Sequence, residues 1–444
     1  MATYSLAADV AAWIARMAEP FDARVRRRLQ PIFIGALFAQ GRRTVASWLR
    51  AAGIRRDWAD HYYFLGSVGR KIRLLGMVLL GIVMRHLVPG ERLLLALDDS
   101  PTKRYGPKVE GAGIHHNPTP GPAEQEFLYG HVWVTLALVT SHALWGTIAL
   151  PLLAELYIRQ KDVPRLPAAY GWKFCTKLEL AAGLVAWAAD VLKHWNKRLW
   201  IVVDGAYAKR PFVRRALAAG VTVVSRLRKD AALFSVPQPL RPGQRRRGRP
   251  RKYGTQRFNL AKRAGQKGGW QMIELVLYGK PVTKIYKTFV ATYPPVGGPI
   301  RVVLVKEDSG WVAFFCTDVN ASVAEILSAV ADRSAIEQVF HDVKEVHGAG
   351  QQQVRHVWAS VAAWNLTLWL YTLVELWAWN RPHAELVDRR ASPWDNPARR
   401  PSHADRARAL RRASLRAQFS RLTARRLMPE KLRRFLARLT ATAA

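Results

Sequence analysis

Acidic residues are scarce in this chain: 32 Asp and Glu stand against 69 Lys and Arg, a formal charge of +37 over 444 residues. A surplus of that size exceeds what solubility needs, and the partners such a field collects are nucleic acids or anionic membrane surfaces. Nucleic acid is the expected partner. Cysteine is nearly absent, and Cys175 and Cys316 are too few for a disulfide framework or a cysteine metal site. Both read as small buried hydrophobes in a reducing compartment. The first 28 residues meet acids early and lack a basic start, an apolar run and a small-residue cleavage site, so no export is expected.

Long unbroken apolar runs are also scarce. The stretch from His131 to Tyr157 is interrupted by His142, Gly146 and Pro151 and alternates in character, which predicts two strands joined near Ser141 and His142. Val357 to Trp379 is long enough to span a bilayer, but Asn365 and Glu375 sit inside it and no companion span is evident. It reads as a helix buried across a sheet, and no membrane partner is expected.

What is abundant is hydrophobic residues, half of the chain, enough for a large core. Residues 1–80 show apolar positions at helical spacing. Two readings stand there, a small DNA-binding helical module and a helical cap packed on the main domain. From residue 88 to 228 the period changes. Strands are expected at 92–98, 131–140, 143–150, 198–204 and 221–226, with helices at 173–195 and 209–219. Three strands, then helix, strand, helix and strand, is the order of a ribonuclease-H-like α/β fold, a mixed sheet flanked by helices. Residues 229–311 carry a basic loop and further strands, a β-rich insertion; residues 312–380 return to the core; residues 381–444 form a basic C-terminal region with sixteen arginines and one lysine against five acids. That last region is expected to add salt-sensitive, non-specific DNA affinity and to be partly disordered when free.

Against this basic background a few acids stand out. Asp98 and Asp99 end the run "LLLALDDS", Asp204 ends "LWIVVDG", and Glu337 lies in "RSAIEQVFHDVKEVHG". Strand ends in such sheets are where groups converge on a ligand. On a continuous helix of 3.6 residues per turn, Arg333, Glu337 and Lys344 fall within about 40° of one another, so one face carries a base, an acid and a base. Individually each acid could be a cap or a surface ion pair. Together they suit two Mg²⁺ ions, which need hard oxygen ligands, while the surrounding bases hold a polyanion. Two ions roughly 4 Å apart can activate a hydroxyl or water on one side of a phosphodiester and stabilise the leaving oxygen on the other.

The segments "LLALDDSPTKRYG", "LWIVVDGAYAKRPFV" and "RSAIEQVFHDVK" resemble the three catalytic regions of bacterial insertion-sequence transposases of the Asp-Asp-Glu type, in the branch with a Tyr, Arg, Glu, Lys signature around the last acid. The resemblance spans roughly residues 30 to 380. It implies Asp99, which precedes a hydroxyl residue, Asp204 and Glu337 as catalytic metal ligands; Asp98, facing the opposite way from Asp99 on a strand, reads as a turn-forming residue with no metal role. Arg333 and Lys344 match the signature, whereas Val330 stands at its tyrosine position. The gaps of 105 residues between Asp99 and Asp204, and 133 between Asp204 and Glu337, fit the same pattern.

The resemblance further implies a ribonuclease-H-like core, Mg²⁺ with Mn²⁺ as substitute, double-stranded DNA as partner at terminal inverted repeats and target, strand transfer by the freed 3′-hydroxyl, and a homodimer when two ends are paired. The expected setting is the bacterial cytoplasm, at the nucleoid. The rival expectation is a transposase-derived DNA-binding protein without chemistry. Further DNA contacts are expected from Arg226 and Arg228, and from Arg247, Arg249 and Arg251 in "RRRGRPRKYG", whose Arg-Gly-Arg-Pro resembles a minor-groove hook. His341, one turn after Glu337, reads as a packed helix-face residue.

Overall fold

Five consecutive apolar residues, Leu93 to Leu97, precede Asp98 and Asp99, the pattern of a strand buried on both faces up to its functional end. They lie in strand β1 (Arg92–Lys103) of a computed structural model that describes residues 5–87, 90–117, 126–238, 248, 251–389, 393–396 and 398–423. Six helices come first: α1 (Ala8–Ala18), α2 (Ala23–Arg26), α3 (Leu29–Phe38), α4 (Val45–Ala51), α5 (Trp58–Arg70) and α6 (Ile72–Leu87). After β1 follow β2 (Gly113–His116), β3 (Phe127–His142), β4 (Gly146–Tyr157), α7 (Lys177–Leu192), β5 (Arg198–Val203), α8 (Arg210–Ala218) and β6 (Thr222–Leu227).

β1 pairs antiparallel with β3 and parallel with β5, and β5 pairs parallel with β6. With β4 outside β3, the order β4-β3-β1-β5-β6 is the ribonuclease-H-like arrangement expected from the sequence. The turn between β3 and β4 falls at 143–145 rather than at Ser141 and His142. The His142 ring nitrogen accepts the backbone N–H groups of Leu144 and Trp145 and so closes it. Pro151 remains inside β4 because the strand is bulged there: pairing shifts between Leu136 and Ala137 on β3, whose partners are Leu153 and Pro151.

The insertion does not form a layer of its own. It comprises β7 (Leu233–Phe234), β8 (Arg257–Phe258), α9 (Leu260–Gly265), β9 (Gln271–Leu277), β10 (Lys280–Tyr293), β11 (Gly298–Glu307) and β12 (Gly310–Cys316). β12 pairs antiparallel with β6, joining Cys316 to Val224, and β11 and β10 continue outward. Among the described residues twelve strands thus make one sheet.

Four helices follow and a fifth short one lies among them: α10 (Val323–Asp332), α11 (Ala335–Glu345), α12 (Val357–Ala378), α13 (His383–Leu386) and α14 (His403–Thr423). The long apolar segment is α12, the one helix among the described residues long and apolar enough to cross a membrane, and it is buried almost throughout. Its polar residues cover the free edge of β4. Asn365 accepts from the Ala154 N–H and donates to its carbonyl, at 2.9 Å each, while Trp369 and Thr372 donate to the Leu152 and Pro151 carbonyls. An edge strand's orphan groups are thereby satisfied.

The N-terminal helices share this core. α3 is buried along nearly its whole length and has no face left for a DNA groove. Gly35 lets it touch α4: a Cβ there would stand 2.1 Å from the Trp48 carbonyl oxygen. Gly69 of α5 meets the Trp358 backbone of α12 in the same way, with 1.9 Å to its carbonyl oxygen. The basic C-terminal region is likewise partly core. Arg406, Arg411 and Arg412 of α14 are buried, and Arg411 donates to the Leu37 carbonyl at 2.6 Å.

Next to β1, His131 is fully buried; its Nδ1 accepts from Arg104 Nε at 3.2 Å and its Nε2 donates to the Glu110 carbonyl. A proton on Nδ1 would face an arginine. Burial first, then the Arg104 charge, pushes this histidine down to about 3, and burial pushes His115 down to about 4. Because the folded-state values are depressed, the stabilisation is complete above the unfolded value of about 6.5 and is lost as pH falls below it. Lowering the pH from 7 to 5 is expected to cost about 2 kcal/mol through His131. His131→Gln, which keeps a donor and an acceptor but takes up no proton, should flatten that pH dependence of thermal unfolding, leaving a residual slope from His115.

Candidate active site

The register of β1 and β5 brings the strand-end acids together. Leu97 pairs with Val203, so Asp98 and Asp204 are the next residues on neighbouring parallel strands. Asp204 lies just beyond β5, exposed, with one carboxylate oxygen accepting the Ala206 N–H at 3.2 Å. Asp98 and Asp99, adjacent in a strand, send their carboxylates to different partners.

Asp99 is held by two donors. The Tyr207 hydroxyl donates to one oxygen at 2.6 Å and Lys177 Nζ approaches the other at 2.7 Å. Lys177 opens α7, whose start is fixed by a capping box of Thr176 and Glu179. Tyr207 is buried; burial first, then the charge of Asp99, holds its hydroxyl far above its ordinary value, so it stays a donor. If Asp99 is the metal ligand that the family resemblance implies, removing that donor with Tyr207→Phe lowers DNA cleavage about 10–100-fold, the usual consequence of freeing a ligand from its orienting partner. Cleavage assays at saturating DNA check this, and an unchanged rate would show that Asp99 needs no such partner.

Asp98 faces the third acid through a shared arginine. Arg333 Nη1 donates to Asp98 at 2.7 Å and Nη2 to Glu337 at 2.8 Å. Asp98 also accepts the Asp99 N–H at 2.8 Å. Burial pushes its carboxyl up to about 6, against the opposing pull of Arg333. Asp98 is therefore a half-buried partner of Arg333 and not simply a turn residue.

The single helix face expected at 333–344 is broken. Arg333 caps α10 and Ser334 precedes α11, with the N–H groups of Ile336 and Glu337 bonding three residues back instead of four. Arg333 and Glu337 pair nonetheless. Val330, at the signature tyrosine position, packs against the core from α10. His341 is exposed and pairs with Asp342 at 3.2 Å.

The expected DNA-contacting bases are scattered. Arg226 is exposed on β6, its backbone beside Gly205, which follows Asp204. Arg228 forks onto Asp230 with two bonds of 2.9 Å. Lys344 lines a groove together with Lys103 and Arg355, apart from the site acids. Arg251 is exposed, while Arg247 and Arg249 lie outside the described residues.

The donor set is carboxylate oxygen throughout, the chemistry that suits a hard divalent cation. Among the described residues no three acids, histidines or cysteines stand close enough together to hold a metal. Lys177 and Arg333 lie on the carboxylates in this arrangement. Sequence reasoning passed over Tyr207 and Lys177. The tyrosine, three residues after Asp204 in "DGAYAK", was the available signal; Lys177 lies 78 residues from Asp99 in sequence.

The profile of the DDE superfamily endonucleases matches residues 16–272, more than half of the chain, and includes Asp98, Asp99 and Asp204. The profile of the transposase DDE domain matches residues 181–373, which include Asp204 and Glu337. No curated protein matches the chain. With aspartates where β1 and β5 stop pairing and a helix-borne glutamate on a ribonuclease-H-like sheet, the chain belongs to the DDE superfamily endonucleases, and its residues 181–373 are similar to the transposase DDE domain.

Proposed function

We propose that this protein cuts DNA at the ends of an insertion sequence and joins the freed 3′-hydroxyl to a target, using Mg²⁺ held by Asp99, Asp204 and Glu337, with Mn²⁺ as a substitute. One observation carries the reading: carboxylates stand where the parallel strands β1 and β5 stop pairing and in the first turn of a facing helix, in a chain of charge +37. Acids in such a field repel the polyanion unless a cation stands between them. Divalent ions bound at such oxygens supply Lewis acidity at the phosphate and lower the pKa of the attacking hydroxyl.

The chain's own residues do the positioning. Tyr207 and Lys177 fix both oxygens of Asp99, and Arg333 ties Asp98 to Glu337 where a phosphate oxygen could draw it away. Arg226, Arg251 and Lys344 supply phosphate contacts farther out. Joining two element ends calls for two copies of the chain, and a homodimer is the simplest closed assembly. The setting is the cytoplasm of a bacterium, at its nucleoid.

The test uses purified protein and a plasmid carrying the DNA that flanks this gene, with Mg²⁺, Mn²⁺ or EDTA. Metal-dependent breaks at defined element ends are expected. Tight binding to those ends without cutting in either metal would leave a DNA-binding protein that does no chemistry.

A further inference from the structure

β1 and α11 both run from the acids into one groove. Lys103 follows Asp99 by four residues and Lys344 follows Glu337 by seven. At about 3.3 Å per strand residue and 1.5 Å per helical residue, each base is about 10–13 Å from its acid. The groove they line has a volume of about 1220 Å³; Arg42 and Arg355 add to its positive charge, Gln353 lines it too, and Glu345 is the one acid in its lining.

Tyr105 also lines this groove and is 83% exposed. A single exposed aromatic such as Tyr63 needs no explanation. Tyr105 differs because its backbone is pinned on both sides. The Arg104 N–H donates to the Tyr129 carbonyl at 2.9 Å, and the Arg104 guanidinium donates to the Gly350 and Gln352 carbonyls at 3.2 and 2.7 Å. On the other side, the Tyr129 hydroxyl donates to the Gly106 carbonyl at 3.2 Å. The ring is thus held out into water from fixed backbone, beside cationic side chains, and little ordering remains to be done on binding.

We propose that this groove binds a short unpaired stretch of a DNA strand beside the carboxylates, with one base stacked on Tyr105. This rests on the DNA-cleaving function above and specifies the form of DNA held next to the acids. A duplex keeps its base faces stacked internally and offers none to a ring; an unpaired strand offers one at each nucleotide. Aromatic side chains among bases are the combination that holds single strands with little regard to sequence.

The test is fluorescence anisotropy in EDTA, where no cutting occurs, with labelled oligo(dT) and a blunt duplex of equal length. Wild-type protein is expected to bind both. Tyr105→Ala should weaken oligo(dT) binding about 5- to 150-fold, the effect of losing one base–aromatic stack, and leave duplex affinity within about twofold. Tyr105→Phe should bind like wild type. Unchanged oligo(dT) affinity in Tyr105→Ala, or equal losses on both probes, overturns the stacking site while leaving the DNA-cleaving function standing. Failure of wild-type protein to bind either probe at low salt would overturn both.

Discussion

Asp204→Asn is expected to lower metal-dependent DNA cleavage by at least about 10⁴-fold, the scale of losing an indispensable member of a catalytic unit, with DNA binding in EDTA unchanged. The substitution keeps the shape of the side chain and replaces one anionic oxygen by an amide, so it removes a hard ligand and little else. Asp204 is exposed and accepts one backbone N–H, so the folded chain should tolerate the change. Asp99→Asn and Glu337→Gln should match it. Asp98→Asn tests a different role. Its carboxylate meets Arg333, which also holds Glu337, and a loss of about 10–100-fold is expected from a residue that positions another. A plasmid cleavage assay with each variant, over a range of Mg²⁺, separates these cases. Full activity of Asp204→Asn would sink the three-carboxylate site, and a loss in Asp98→Asn as large as that in Asp99→Asn would make Asp98 a ligand in its own right.

The core strands were legible because their signal is local. Apolar runs ending in an acid, as at Leu93–Asp98 and Leu199–Asp204, mark strands that emerge from the core at a functional edge. Strand ends were less so: the β3–β4 turn depends on a His142 side chain bonding to backbone beyond it. The partners of the acids were illegible for another reason. Lys177 meets Asp99 across 78 residues and Arg333 meets Asp98 across 235, and nothing in the intervening sequence marks either contact. Helical spacing even misled at 333–344, because it assumes an unbroken helix where the backbone shifts to three-residue bonds. Composition misled at the C-terminus. Arginine density predicted a partly disordered basic region, but Arg406, Arg411 and Arg412 find a carboxylate and backbone carbonyls inside the fold, while residues 424–444 lie outside the described residues.

The acid that argued against a membrane span explains that last point. Glu375 of α12 is fully buried, and its Oε1 accepts from His403 Nδ1 at 2.5 Å and from Arg406 Nε at 2.9 Å. With Nδ1 donating, His403 Nε2 is left to accept from His347 Nε2 at 2.8 Å, and the His403 ring stacks on Tyr371. Burial alone would raise the Glu375 carboxyl; Arg406 and His403 hold it below its ordinary value, so it stays ionised and docks α14 on α12. Glu375→Ala would leave Arg406 buried without its counter-charge. Breaking such a pair from one side costs about 3–5 kcal/mol, a large share of the roughly 5–15 kcal/mol that holds a typical protein folded. Glu375→Gln, which keeps an acceptor, should lose less. Urea unfolding measures the loss, and trypsin should cut the arginine-rich α14 of Glu375→Ala well before the rest of the chain. A variant as stable and as protease-resistant as wild type would mean that apolar packing alone docks α14, with the buried ion pair contributing nothing net.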